Sequence, residues 1–315
     1  MRVAFFGTPD VAAVALRRLI GSHHEIVVAV TQPDRPRGRS GTPQPPPAKQ
    51  VAAEAGIPVL QPPTPKQDSF APEFAAFSPD ACVVVAYGHL LPPAVLAVPP
   101  RGTYNAHFSL LPRYRGAAPV QRAIMNGDDR TGVCVFLLEP TLDTGPVLER
   151  VEVAIEDDDT TGTLLARLAP IGADALVRTL DAVEDGTAEP KPQRDEAATP
   201  APKIKPDEGE IDWSHPAERI RNLIRGLNPS PGAYTFFKGK RVKIWSAALA
   251  DEPGEPGEPG AAIPVAGGFA IAAGEGAIVP TELQPEGKRR MTADEFLRGY
   301  RPGPTTRFGR DAADR

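Results

Sequence analysis

What most limits the folds open to this chain is the order of apolar runs in its first half. Residues 2–6 (RVAFF), 25–31 (EIVVAVT), 57–60 (IPVL), 80–88 (DACVVVAYG), 102–107 (GTYNAH) and 132–138 (GVCVFLL) read as strands. Between them, 10–20 (DVAAVALRRLI) and 47–56 (PAKQVAAEAG) carry apolar residues at helical spacing. Strands that are apolar throughout need cover on both faces, and a mostly parallel α/β sheet with intervening helices supplies it. Residues 159–186 read as a long closing helix that opens at Thr160 or Thr161 and ends at Gly186.

The texture then changes. Residues 187–213 hold scattered prolines, many charges and no periodicity, so a linker over the surface is expected, centred on 189–205. Beyond it, 216–227 reads as a helix, and 233–237, 241–247, 268–274 and 276–284 are short apolar segments separated by turn residues. That pattern suggests a small antiparallel barrel. The predicted division is a catalytic domain over 1–188 and a second domain over 206–315. Residues 251–262 form a PGE repeat, expected as an exposed flexible loop. Residues 291–300 read as a last helix capped by Thr292, and the tail from Arg301 is expected to fray.

Composition closes off several classes. The net charge of −5 excludes a polyanion binder by bulk charge alone. The charge is uneven, however: residues 1–202 carry 18 basic against 24 acidic side chains, and 203–315 carry 17 against 16. The two cysteines, Cys82 and Cys134, lie in apolar runs and read as buried free thiols, so neither a disulfide framework nor a thiolate metal site is implied. The opening MRVAFFGTPD lacks the apolar core of a signal peptide, and no stretch approaches the ~20 apolar residues of a membrane helix. The expected location is the cytoplasm.

The chemistry gathers around residues 105–119, NAHFSLLPRYRGAAP. If 102–107 is a strand, Asn105 and His107 project from one face at its carboxyl end, where open α/β sheets bind ligands. An amide N–H beside an imidazole suits acyl transfer: the amide meets a developing oxyanion and the imidazole moves a proton. The same pair also suits a plain polar strand cap. Asp143, in the loop LEPTLDTGP after another apolar run, is placed to hold the charged imidazole or to orient a water, and equally to open a turn. Tyr87 and Gly88 end the run 83–88 at a point able to take a flat heterocycle. The segment FGTPD at 6–10 is a glycine turn without the dinucleotide fingerprint. Two basic segments stand out. Arg35, Arg37, Arg39 and Lys49 sit in a Gly/Pro-rich loop, and Lys238, Lys240, Arg241 and Lys243 alternate with aromatic and β-branched residues. Both patterns suit a phosphate backbone, and both suit solvated turns.

The strings FFGTPDVAA, VTQPDRPRGR, VVVAYGHLLP, NAHFSLLPRYRGAAPVQRAI, LDTGPVL, TTGTLLARLA and LNPSPGAY occur in this order, and as an ordered set the chain resembles the methionyl-tRNA formyltransferase family. The resemblance implies a Rossmann-like formyltransferase domain, a linker and a C-terminal OB-like barrel that holds tRNA. It implies transfer of a formyl group from 10-formyltetrahydrofolate to initiator methionyl-tRNA, chemistry that needs no metal; separately, a monomer without an obligate protein partner is expected. It carries the catalytic Asn-x-His onto Asn105 and His107 and the catalytic Asp onto Asp143. The folate-contact segment falls on Ser109, Leu110, Leu111 and Pro112, and the basic acceptor-stem insertion falls within 33–49. Phe108 departs from the small residue usual after the histidine, and Ser40, Gly41 and Thr42 stand where some relatives have lysines. A formyltransferase acting on a small amine and a non-catalytic tRNA binder are the competing readings.

Overall fold

The computed structural model describes residues 1–36, 41–250, 257–265, 268–303 and 305–310. Its contacts divide the chain into two units: Met1–Pro119, Arg130–Ala154 and Leu165–Pro202 form one, and Val120–Asp129, Ile155–Leu164 and Lys203–Arg315 the other.

The elements of the first half run β1 (Arg2–Gly7), α1 (Asp10–Ile20), β2 (Glu25–Val30), β3 (Arg35–Pro36), β4 (Pro43–Gln44), α2 (Pro47–Glu54), β5 (Val59–Leu60), α3 (Phe70–Ala75), β6 (Ala81–Val85), α4 (Pro93–Leu96), β7 (Thr103–His107), α5 (Pro119–Met125), β8 (Arg130–Leu137), β9 (Val147–Ala154) and α6 (Thr161–Asp185). The main sheet has the order β5-β2-β1-β6-β7-β8-β9. It is parallel from β5 to β7, and β8 then pairs antiparallel with both β7 and β9. The Rossmann-like, mostly parallel expectation holds.

Pairing at period two sorts the side chains. Ala4, Phe6, Val28, Val30, Cys82 and Val84 share one face and pack on Phe70 and Phe74 of α3. Phe6 meets Phe70, Phe74 and Tyr87 edge-on at centroid distances of 6.2, 5.2 and 5.2 Å, contacts worth about 0.5–1.5 kcal/mol each beyond burial. Helix α6 begins with Thr160 Oγ1 accepting the Thr163 N–H at 3.2 Å and is followed by Gly186 at φ +71°, so both predicted caps are present. Burial raises the thiols of both cysteines, that of Cys134 to about 11.

The second unit carries α7 (Ala217–Gly226), β10 (Ala233–Phe237), β11 (Lys240–Leu249), β12 (Ala262–Val265), β13 (Gly268–Ala272), β14 (Ala277–Pro285), β15 (Met291–Thr292) and α8 (Ala293–Tyr300). Its antiparallel sheet runs β10-β11-β14-β13-β12, with β15 on β14. Ile220, Ile224, Val242, Ile244, Phe269, Leu283, Phe296 and Phe308 belong to one core. Thr292 caps α8 through Glu295 N–H in a complete capping box.

The tail corrects the expectation that it frays. Thr306 carbonyl accepts Ala262 N–H at 2.9 Å, Phe308 N–H reaches Gly260 carbonyl at 2.7 Å, and Gly309 N–H reaches Phe236 carbonyl at 2.9 Å. Residues 306–309 thus join the two outer edges of the sheet order, and Phe308 is buried among aromatic rings. Most of the PGE repeat, 251–256, lies outside the described residues.

Candidate active site

Strand β7 delivers the first two groups. Asn105 pairs with Val84 of β6 and Phe136 of β8, and His107 pairs with Cys134, so both side chains leave the sheet on the α3 face. They line a cavity of about 500 Å³ with Val84, Ala86, Tyr87, Gly88, His89, Gly116 and the 138–143 loop. The size suits a small-molecule site. Among the described residues, the Asn105 carboxamide has no hydrogen-bond partner and is available to an incoming oxygen.

His107 is 6% exposed and Asp143 7%. Tyr114 carbonyl lies 2.8 Å from His107 Nε2. A carbonyl only accepts, so Nε2 carries the proton and Nδ1 is the nitrogen left for chemistry. Nδ1 faces Asp143 Oδ2 at 3.8 Å. That exceeds a hydrogen bond and leaves the pair close enough for charge compensation. Gly116 N–H donates to Asp143 Oδ2 at 2.8 Å. The His107 ring stands edge-on to Phe136 at 6.3 Å, which fixes its plane.

The route by which Asp143 arrives differs from the simple picture of a loop at the carboxyl edge. β8 is antiparallel to β7 and ends with Leu137 opposite Tyr104, upstream of His107. Residues 138–143 therefore double back along the face to bring the carboxylate to the imidazole.

Two relatives fix the setting. Residues 1–180 match the model described as "Formyl transferase", and 203–301 match "Formyl transferase, C-terminal domain". The chain is 45% identical over 301 residues to the methionyl-tRNA formyltransferase of Moorella thermoacetica, covering 95% of this chain and 96% of that protein. The chain belongs to the methionyl-tRNA formyltransferase family. A second family member, from Frankia casuarinae, is 44% identical over 317 residues, covering 96% and 94%. Among solved structures, a sugar 3N-formyl transferase, WlaRD, crystallised in the presence of dTDP and 5-N-formyl-THF, shares the fold at TM-score 0.67 and 15% identity, covering 92% of this chain and 99% of that one. Like its family, this chain is a formyl-transferring enzyme.

The other predicted residues are distributed unevenly. Tyr87 and Gly88 line the cavity, with Tyr87 buried against Phe6. Among the described residues its hydroxyl is a buried atom without a partner, and burial pushes it up to about 12. Among the same residues His89 Nε2 is likewise buried and unpartnered, with its ring 5.6 Å from Tyr87. The His89 ring belongs to the same cavity wall. Ser109, Leu110, Leu111 and Pro112 are not among the cavity's lining residues. Ser109 is fully buried and donates to Arg113 carbonyl at 2.7 Å, while Leu111 packs with Cys134 and Phe136. The Phe108 ring is accommodated by Gly172, where a Cβ would stand 3.4 Å from it. Leu90 and Leu142 are 57% and 51% exposed and also line the cavity.

Arg37, Arg39 and Ser40 lie outside the described residues. Arg35 is exposed on β3. Lys49 Nζ is held by Asp34 at 2.8 Å and by Gln61 at 2.7 Å, and hydrogen bonds from Lys49 first and Gln61 second hold the Asp34 carboxyl below its usual range. In the second unit, Lys238 and Lys240 are exposed, and Arg241 stacks on Tyr234 at 4.2 Å. Lys243 lies 5.1 Å from the Trp245 ring and donates to Pro231 carbonyl at 2.6 Å. Two further arginines belong to this arrangement and were not singled out from the sequence: Arg290 lies 3.8 Å from the Trp245 ring and Arg310 4.7 Å from that of Phe236. They come from distant segments, so no local pattern marks them. Away from the cavity, His23, His24 and Asp181 bring potential metal-ligand atoms within 4.8 Å of one another. Among the described residues, no helix is long and apolar enough to cross a membrane.

Proposed function

We propose that the chain transfers the formyl group of 10-formyltetrahydrofolate to the α-amine of methionyl initiator tRNA, with Asn105, His107 and Asp143 as the catalytic groups. The observation that carries this reading is their convergence on one cavity in a chain of this family. The size of the cavity and the Tyr87–Gly88 segment in its wall suit a folate donor there.

The amine lone pair forms a bond to the formyl carbon while the bond from that carbon to N10 of the donor breaks. Asn105 donates its amide N–H to the oxygen on which negative charge grows; loss of one such donor costs about 10²–10³ in turnover. His107 presents Nδ1, with Nε2 tied to Tyr114, and moves a proton toward the departing N10. Asp143 balances the positive charge of the ring while that proton is on it. The amine loses one proton and N10 gains one, so the transfer closes without a metal or redox partner.

Arg35, Arg37 and Arg39 and the cations of the second unit, Lys238, Lys240, Arg241 and Lys243 joined by Arg290, are proposed to meet the tRNA backbone, whereas Arg310 is already paired with Glu210. The enzyme is proposed to act as a monomer in the cytoplasm. Incubation with 10-formyltetrahydrofolate and charged methionine tRNAs tests the reading: the initiator is formylated and the elongator is not. Asn105→Ala is expected to lower kcat by about 10²–10³ and His107→Ala by about 10²–10⁴, with tRNA affinity in filter binding unchanged. Weakened tRNA binding with intact turnover would refute the assignment.

A further inference from the structure

The stretch expected to be a passive linker contributes directly to the architecture of the site. Two non-glycine residues beside His107 occupy the left-handed backbone region, Tyr114 at φ +63° and Asp143 at φ +53°. Both conformations are costly for residues with a Cβ and persist only where the surroundings enforce them. Tyr114 offers the carbonyl that takes His107 Nε2–H, and Asp143 offers the carboxylate facing Nδ1.

Each is fixed by a residue of the linker. Thr199 Oγ1 accepts Tyr114 N–H at 2.9 Å, and Thr199 carbonyl accepts Arg115 N–H at 2.8 Å. Gln193 Nε2 donates one hydrogen to Asp143 carbonyl at 2.9 Å and the other to Gly145 carbonyl at 2.7 Å. Gln193 Oε1 accepts from Arg115 Nε at 3.1 Å and from the Arg115 terminal nitrogen at 2.8 Å. The carboxamide is thereby fully used, two donors on the Asp143 loop and the oxygen on the Tyr114–Gly116 loop. No other side chain makes this set: glutamate cannot donate, and asparagine is one methylene short.

We propose that Gln193 is a positioning residue for formyl transfer, its carboxamide tying the Asp143 loop to the loop that orients His107, with Thr199 fixing the second loop alongside it. This rests on the catalytic assignment of His107 and Asp143 above. The chain that leads out of the catalytic unit is thus part of what sets the distance between imidazole and carboxylate. Gln193 is half-buried and Thr199 exposed, so substitution at either leaves the core intact.

The test uses the full chain with Gln193→Ala, Gln193→Glu, Thr199→Val and Thr199→Ser. Gln193→Ala and Gln193→Glu are expected to lower kcat about 10–100-fold, the cost of a reacting group displaced by about an ångström. KM for donor and for tRNA stays within about twofold and the melting temperature is held. Backbone amides of residues 141–145 exchange with deuterium faster in both variants. Thr199→Ser retains the hydroxyl and native turnover, whereas Thr199→Val loses turnover at constant KM. A kcat near native in Gln193→Ala, unchanged exchange over 141–145, or a loss confined to KM would overturn the positioning role while native formylation leaves the function standing. A native chain that does not formylate methionyl-tRNA overturns both.

Discussion

At Gly116 the backbone takes φ +127°, and a Cβ built there would stand 2.6 Å from Ala201 carbonyl oxygen. The N–H of the same residue holds Asp143 Oδ2. A side chain must therefore push the loop off residue 201 and disturb the carboxylate together. Gly116→Ala is expected to destabilise the fold by about 1–3 kcal/mol and to lower single-turnover rate, read by melting and rapid-quench assays. The pairing of Asn105 and His107 was legible from the sequence because period two is a property of any strand. The position of Asp143 was not: it depends on β8 reversing direction and on a left-handed residue that no local pattern requires. Lys49 shows the opposite limit, since charge counted along the chain hid its pairing with Asp34.

Among elements, the long ones announced themselves. β1, β2, β6 and β7 are buried nearly throughout, and α6 shows both of its caps. β9 went unread because it is an edge strand of alternating exposure, with charged residues on its open face. The short helices α3, α4 and α5 are too brief for periodicity to register. Apart from the Thr199 hydroxyl, the attachment of residues 199–201 uses main-chain groups, which carry no sequence signature. One contact between elements yields a pH prediction. The Met1 amine reaches Glu184 at 2.7 Å near the end of α6, and His23 donates to the same carboxylate at 2.8 Å. His24 and Asp181 complete the cluster. The amine first and His23 second pull the Glu184 carboxyl down to about 2. A carboxyl lowered on folding stabilises the native state above its unfolded value, and that contribution fades as pH falls through the folded one. Glu184→Gln is expected to lower the melting temperature at neutral pH, with the gap to the native chain closing between about 4.5 and 2. A gap that persists through this window would show that the pair contributes nothing.

Over the whole molecule, a net charge of −5 coexists with a cationic, aromatic face on the second unit. Affinity for tRNA should then depend on that face and not on bulk charge. Arg241→Ala is expected to lower the slope of log affinity against log salt by about one. Lys49→Ala should change it less, because Asp34 already neutralises that cation. Equal slopes for Arg241→Ala and the native chain would remove the face from the tRNA interface. The mouth of the candidate cavity has a different consequence. Leu90 and Leu142 stand there in water. A flat occupant that dries them gains part of its hold from released solvent, so its capture carries a negative heat-capacity change and loosens on cooling. The entrance thus sorts visitors by their greasy edge before any reacting atom comes within range.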